Sequence, residues 1–94
     1  MVNALRIHPQ DTVVVAVADL PQGTRLAWAE MGQGVDLATR ALIPFGHKVA
    51  ITAICQGEAV IKYGASIGLA TKDIAPGEHV HVHNLRSVRG AAQA

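Results

Sequence analysis

Apolar residues in this chain fall into short, β-branched runs separated by glycine and proline. Thr12 to Val17 (TVVVAV) is unbroken and of strand length, which predicts a buried strand. Val49 to Ile54 is a second such run, and Ala59 to Tyr63, closed by Gly64, is a third that predicts one arm of a hairpin. His79-Val80-His81-Val82-His83 alternates strictly, the period of a strand with two unlike faces. That period predicts the imidazoles on one side and Val80 and Val82 in the core. Between Trp28 and Leu42 the pattern weakens. The region reads as a long β-excursion, with a short helix over Asp36 to Leu42 as the alternative; Gly32 and Gly34 oppose extending that helix backward. Residues 1–89 read as one domain and Gly90 to Ala94 as a frayed tail.

One phrase recurs. Leu20 to Leu26, Ile54 to Val60 and Ile74 to Val80 each read apolar, two residues, Gly, two residues, apolar. The first apolar residue anchors a turn, the Gly permits a positive φ, and the second apolar residue starts the next strand. Their unequal spacing excludes a solenoid. The expectation is a small all-β domain that reuses a strand-turn-strand unit around one core.

Composition narrows the function classes. Ninety-four residues allow one domain, and a 50% apolar share argues against disorder. With 16% charged residues, a net charge of +1 and 3% aromatics, the chain lacks the basic field and stacking platforms of nucleic-acid binders. No apolar run approaches the roughly 18 residues of a membrane span, and Met1 to Arg6 does not resemble a secretion signal, so a cytoplasmic location is expected. A single cysteine, Cys55, excludes an intrachain disulfide and a paired-cysteine zinc site, and nothing nearby in sequence marks it as a nucleophile. Gly32-Gln33-Gly34 lacks the third glycine of a dinucleotide loop.

The chemistry-bearing residues are the five histidines and a few lysines. On an extended strand His79, His81 and His83 share one face. Neighbours among them lie about 6.6–7 Å apart, close enough for two to ligate one metal, whereas the outer pair is about 13 Å apart unless the strand bends. The alternative is a solvent-facing strand whose histidines are merely polar. His47 and Lys48 follow the turn Pro44-Phe45-Gly46 into a strand, where His47 could act as base or ligand and Lys48 could meet a carboxylate. Adjacent strand residues face opposite ways, so one of the two is expected to face the site. Lys62 sits in the hairpin, where it reads first as an exposed lysine; Asn84 could orient a histidine or cap a turn. Arg86 and Arg89 could bind an acid or solvate the C-terminus.

Asp73 to Val80 resembles the phrase D-I-x-x-G-x-x-V of SAF domains, small β-clip modules. The chain is similar above all to the altronate/galactarate dehydratase family. The similarity is carried by Ile7 to Asp11, Ile43 to Ala50, Val60 to Gly64, Ile67-Gly68 and Gly77 to Leu85, in the family's order; Leu26 to Leu42 matches no family string. The resemblance implies the small subunit of a lyase. Such an enzyme dehydrates a sugar acid such as altronate or galactarate, or expels sulfite from sulfolactate in the same kind of elimination. It further implies a divalent metal (iron, magnesium or manganese) and a large catalytic subunit as partner, with a homo-oligomer possible. His47, Lys48 and His81 would be catalytic, His8, Lys62 and Asn84 would bind substrate, and His79, His81 and His83 would hold the metal. The competing reading is a non-catalytic SAF-type module that binds a small acid or carbohydrate.

Overall fold

The structure, a computed structural model, describes residues 2–28 and 37–87. Strands form at β1 (Ala4–Leu5), β2 (Val13–Ala16), β3 (Lys48–Ala50), β4 (Ala59–Lys62), β5 (Ala65–Ala70), β6 (His79–Val80) and β7 (Leu85–Arg86). They build two antiparallel sheets, one ordered β1-β2-β3-β6 and the other β4-β5-β7. No helix occurs among the described residues, as an all-β domain requires. Leu37 to Leu42 is not helical, and Ala38 bridges Arg25. Gly32-Gln33-Gly34, Arg89 and the expected tail lie outside the described residues.

The recurring phrase organises the fold, and it occurs four times rather than three. Ile43 to Val49 is the additional copy. In each copy the glycine takes a positive φ: 87° at Gly23, 83° at Gly46, 88° at Gly57 and 89° at Gly77. The following amide closes the turn onto a carbonyl three residues back, as in Thr24 to Pro21 and His47 to Pro44. Leu20 and Ile43 exchange backbone hydrogen bonds of 2.8 Å, and Ile54 and Ile74 form the equivalent pair at 2.9 and 2.7 Å. The turns therefore dock in twos. Asp19 caps the amide of Phe45 in its partner turn, and Asp73 caps Gln56 in the other pair, both at 2.8 Å.

This pairing splits the core. Leu20, Leu26, Ile43 and Val49 join one buried cluster with Val14 and Trp28, and Ile54, Val60, Ile74 and Val80 join a second with Val13 and Ala50. Each such side chain contributes about 1.5–3 kcal/mol when fully buried. Alternation along β2 sends Val14 into one cluster and Val13 into the other, which is why the run from Thr12 carries no polar face.

The strand expected over His79 to His83 does not form. β6 stops at Val80, and His81 to Asn84 make a turn closed by the Asn84 amide onto the His81 carbonyl at 3.1 Å. Val82, expected in the core, sits on that turn at 81% exposure. The cause is Asn84, which is fully buried. Its side-chain oxygen accepts from the His81 amide at 3.0 Å, and its Nδ2 donates to the His79 carbonyl at 2.8 Å. An asparagine that occupies these backbone groups offers the chain an alternative to a ladder.

Candidate functional site

His47 occupies the position after the glycine in its turn. In the other three copies this residue braces its own turn. Thr24 donates its hydroxyl to the Pro21 carbonyl at 2.6 Å, while Glu58 and Glu78 accept from the amides of Cys55 and Ala75 at 2.7 and 2.8 Å. In the second copy Pro44 has no amide proton to be capped, as Pro21 has none in the first, and the position carries a histidine whose ring bonds outside its own turn, to His79.

That histidine meets the other two across β3 and β6. Val49 pairs with His79 in the ladder, and His47, two residues before Val49, lies on the same face as both. His47 Nδ1 lies 2.8 Å from His79 Nε2, a hydrogen bond in which one ring donates and the other accepts. The turn set by Asn84 swings His81 back, and its ring stacks on His47 with centroids 4.4 Å apart. His79 stacks with His47 at 5.0 Å and with His81 at 5.5 Å. One nitrogen from each of His47, His79 and His81 lies within 4.8 Å of the others. Burial lowers the basicity of His79, and the neighbouring charges of His47, His83, His81 and Lys48 lower it further.

Three neutral imidazoles on one side suit a borderline divalent metal. Metal–nitrogen bonds of about 2.0–2.1 Å place two ligand nitrogens roughly 3–4 Å apart, a range that the observed separations bracket. No carboxylate joins the group among the described residues. Three protein ligands would leave positions open for water or substrate, the arrangement of a catalytic rather than a structural site.

The remaining candidates separate from this cluster. His83 is exposed and only tilts against His79, with centroids 5.4 Å apart; His47 takes the third place in the group. Lys48 pairs with Val80 and Val15, on the face of the ladder opposite to Val49 and His79. Asn84 is sealed beneath the histidines with both amide atoms on their backbone, so it positions them. His8 goes with the β4–β5 hairpin, where its ring fills the space a Cβ at Gly64 would need. Lys62 lies at the same hairpin, with its Nζ 4.7 Å from the centre of the Tyr63 ring. Arg86 is exposed and borders a groove with Gln56, Gly57 and Thr71 that none of the histidines lines. Cys55 is exposed, and the Glu58 carboxylate, followed by burial and Asp73, raises its thiol pKa, which favours the unreactive form.

Asp11 was not marked by the sequence pattern. It is 2% exposed and ties the hairpin to the loop before β2, accepting from the Gly64 amide at 2.8 Å and the His8 amide at 3.1 Å. Burial pushes its carboxyl pKa up, but the amides of Gly64, Tyr63 and His8 outweigh this and hold it below the usual value. Its only local signal is its place beside Pro9 and Gln10 in a turn.

A small all-β domain that presents clustered histidines on glycine turns is thus defined by geometry alone. The chain belongs to the altronate/galactarate dehydratase SAF domain family, whose profile matches residues 2–88. It is 39% identical over 87 residues to an altronate dehydratase of Bacillus subtilis, covering 93% of this chain but 17% of that protein. With an altronate dehydratase of Escherichia coli the identity is 46% over 86 residues, 88% of this chain and 16% of the relative. The (2R)-sulfolactate sulfo-lyase subunit alpha of Chromohalobacter salexigens is 38% identical over 87 residues, covering 88% of this chain and 93% of that subunit. The chain therefore spans about a sixth of the dehydratases and nearly all of the sulfo-lyase subunit. Among the described residues no helix is long and apolar enough to cross a membrane.

Proposed function

We propose that this chain is the small subunit of a cytoplasmic lyase that eliminates water or sulfite from a small hydroxy acid, working with a large catalytic subunit. The observation that carries this reading is the convergence of His47, His79 and His81 from two separate turns. The names of the relatives support the reaction class, and the extent of the match to the sulfo-lyase subunit alpha supports a separate small chain.

Such an elimination removes the proton α to a carboxylate and expels the β-hydroxyl or sulfite. His47, His79 and His81 would hold a borderline divalent metal such as iron, which their imidazoles fit better than magnesium or manganese, and the metal would supply Lewis acidity at the leaving group. Without metal, His47 and His79 share one proton between Nδ1 and Nε2, and a metal held by these nitrogens would displace that proton. His81 stacks on His47, and Asn84 fixes its turn. The large subunit encloses the cluster and supplies the remaining contacts.

The test is co-expression with the large subunit of this family, followed by assays on altronate, galactarate and sulfolactate. The expected result is turnover of one of them by the complex and none by either chain alone. A complex that binds the acids without converting them would establish the non-catalytic module instead.

A further inference from the structure

We propose that Phe45 and Val82 are the anchors by which an apolar, carboxylate-bearing surface of the large subunit docks over the histidine turns, with bare Gly46 letting that surface come close to the backbone. The proposal rests on the lyase reading for its partner and adds where on this chain the partner sits.

The four glycine turns share one geometry, so their differences stand out. The residue before the glycine is Gln22, Phe45, Gln56 and Pro76 in chain order. Glutamine suits a solvated turn. Phenylalanine does not, and Phe45 is 66% exposed. Its amide is held by Asp19 at 2.8 Å, so the ring is presented from a fixed backbone. Val82 is likewise presented, on the turn that Asn84 holds. These two are the most exposed large apolar side chains among the described residues. A single exposed apolar residue needs no explanation, but this pair adjoins one site. Phe45 is two residues from His47, Val82 is next to His81, and the His47 and His81 rings stack with centroids 4.4 Å apart.

Gly77 shows how such a turn is covered. The segment from Ala38 to Arg40 lies across it. The Arg40 amide donates to the Gly77 carbonyl at 2.8 Å, and the Ala38 carbonyl fills the space that a Cβ at Gly77 would need. A Cβ at Gly46 would meet nothing within 4 Å, so the same approach is open there. Gly23 and Gly57 are equally open. What sets the Gly46 turn apart is the exposed aromatic ring beside it.

Charge selects the occupant. The ligand group holds three imidazoles and no carboxylate among the described residues. A second copy docked through this patch would set one histidine group against another, and like charges would meet whenever either carried protons or metal. A surface with an apolar pocket for Phe45 and a carboxylate toward the imidazoles is complementary instead. Its docking would also expel water from the cluster, which strengthens the electrostatic interactions there.

The test measures binding of the purified chain to the large subunit used in the lyase assay, by isothermal titration calorimetry. Phe45→Ser and Val82→Ser should each weaken association at least about tenfold while melting near the wild-type temperature. Gly46→Asn should weaken it similarly, because asparagine tolerates a left-handed φ and its side chain occupies the open space. Gly23→Asn and Gly57→Asn, with φ of 87° and 88° against 83° at Gly46, carry the same backbone cost and should bind as the wild type does. Ile7→Ser, which removes an exposed apolar residue elsewhere, should also bind normally. Should Gly46→Asn fail to fold, Phe45→Ser and Ile7→Ser carry the comparison. If the wild type binds and Phe45→Ser and Val82→Ser bind undiminished, the proposal is overturned and the lyase reading stands. If the wild type does not bind the large subunit, both fall. Self-association of the chain alone that Phe45→Ser abolishes, seen by sedimentation, assigns the patch to a second copy and overturns the proposal.

Discussion

His47 Nδ1 and His79 Nε2 are 2.8 Å apart although 32 positions separate them in the chain. The contact joins the turn that leads into β3 to the first residue of β6, the strand paired with β3. Replacing either residue with Ala removes a member of the proposed acid–base and ligand group. We expect His47→Ala or His79→Ala to lower kcat/KM of the assembled enzyme by about 100-fold or more. His83→Ala should cost far less, since His83 only borders the group. Bound metal, measured by elemental analysis, should fall with activity in the first two variants and persist in the third.

Val80 and Val82 have opposite fates. Val80 is fully buried on the edge strand β6, in the second core cluster, and Val82 is 81% exposed on the histidine turn. Val80→Asp buries an unpaired charge and should abolish folding, seen as a lost melting transition. Val82→Asp should stay within about 0.5 kcal/mol of the parent. Equal destabilisation by both would restore the extended strand that alternation predicts.

Asp11→Ala strips the Gly64 and His8 amides of their acceptor. A fully buried unsatisfied donor costs about 1–3 kcal/mol, and these two are only part-buried. Urea unfolding should show a combined loss of about 1–3 kcal/mol, and hydrogen exchange at Gly64 should quicken more than exchange in β2.

His79 makes the metal-free domain sensitive to mild acid. Its folded pKa lies below the ordinary 6.5, first through burial and then through the charges around it. Below 6.5 the unfolded chain takes a proton that the folded one resists. This share of stability is therefore complete above that value, falls as pH drops toward the lower folded pKa, and levels off beneath it. Urea midpoints measured between about pH 7.5 and 5.5 should decline, and His79→Gln should flatten the slope. An unchanged slope in that variant would refute the assignment.

The local code of this protein was legible from its residues alone. Apolar–x–x–Gly–x–x–apolar spacing implies a turn that buries its two ends, because only glycine takes the required positive φ cheaply and the flanking side chains must leave water. Three copies were visible on that basis, and the apolar run from Thr12 to Val17 announced a buried strand, of which Val13–Ala16 formed and Val17 is exposed. A fourth copy, Ile43 to Val49, has the same spacing, and its turn pairs with the one after Leu20. The histidines were legible as a set but not as a site. Periodicity treats His79 to His83 as one strand, whereas a buried Asn84 bends it, exposes Val82 and substitutes His47 for His83 as the third member. That outcome depends on which backbone groups an asparagine finds when buried, and on two turns meeting across 32 residues of chain. Spacing along a sequence carries neither, because both are set by packing between segments that are neighbours only after folding.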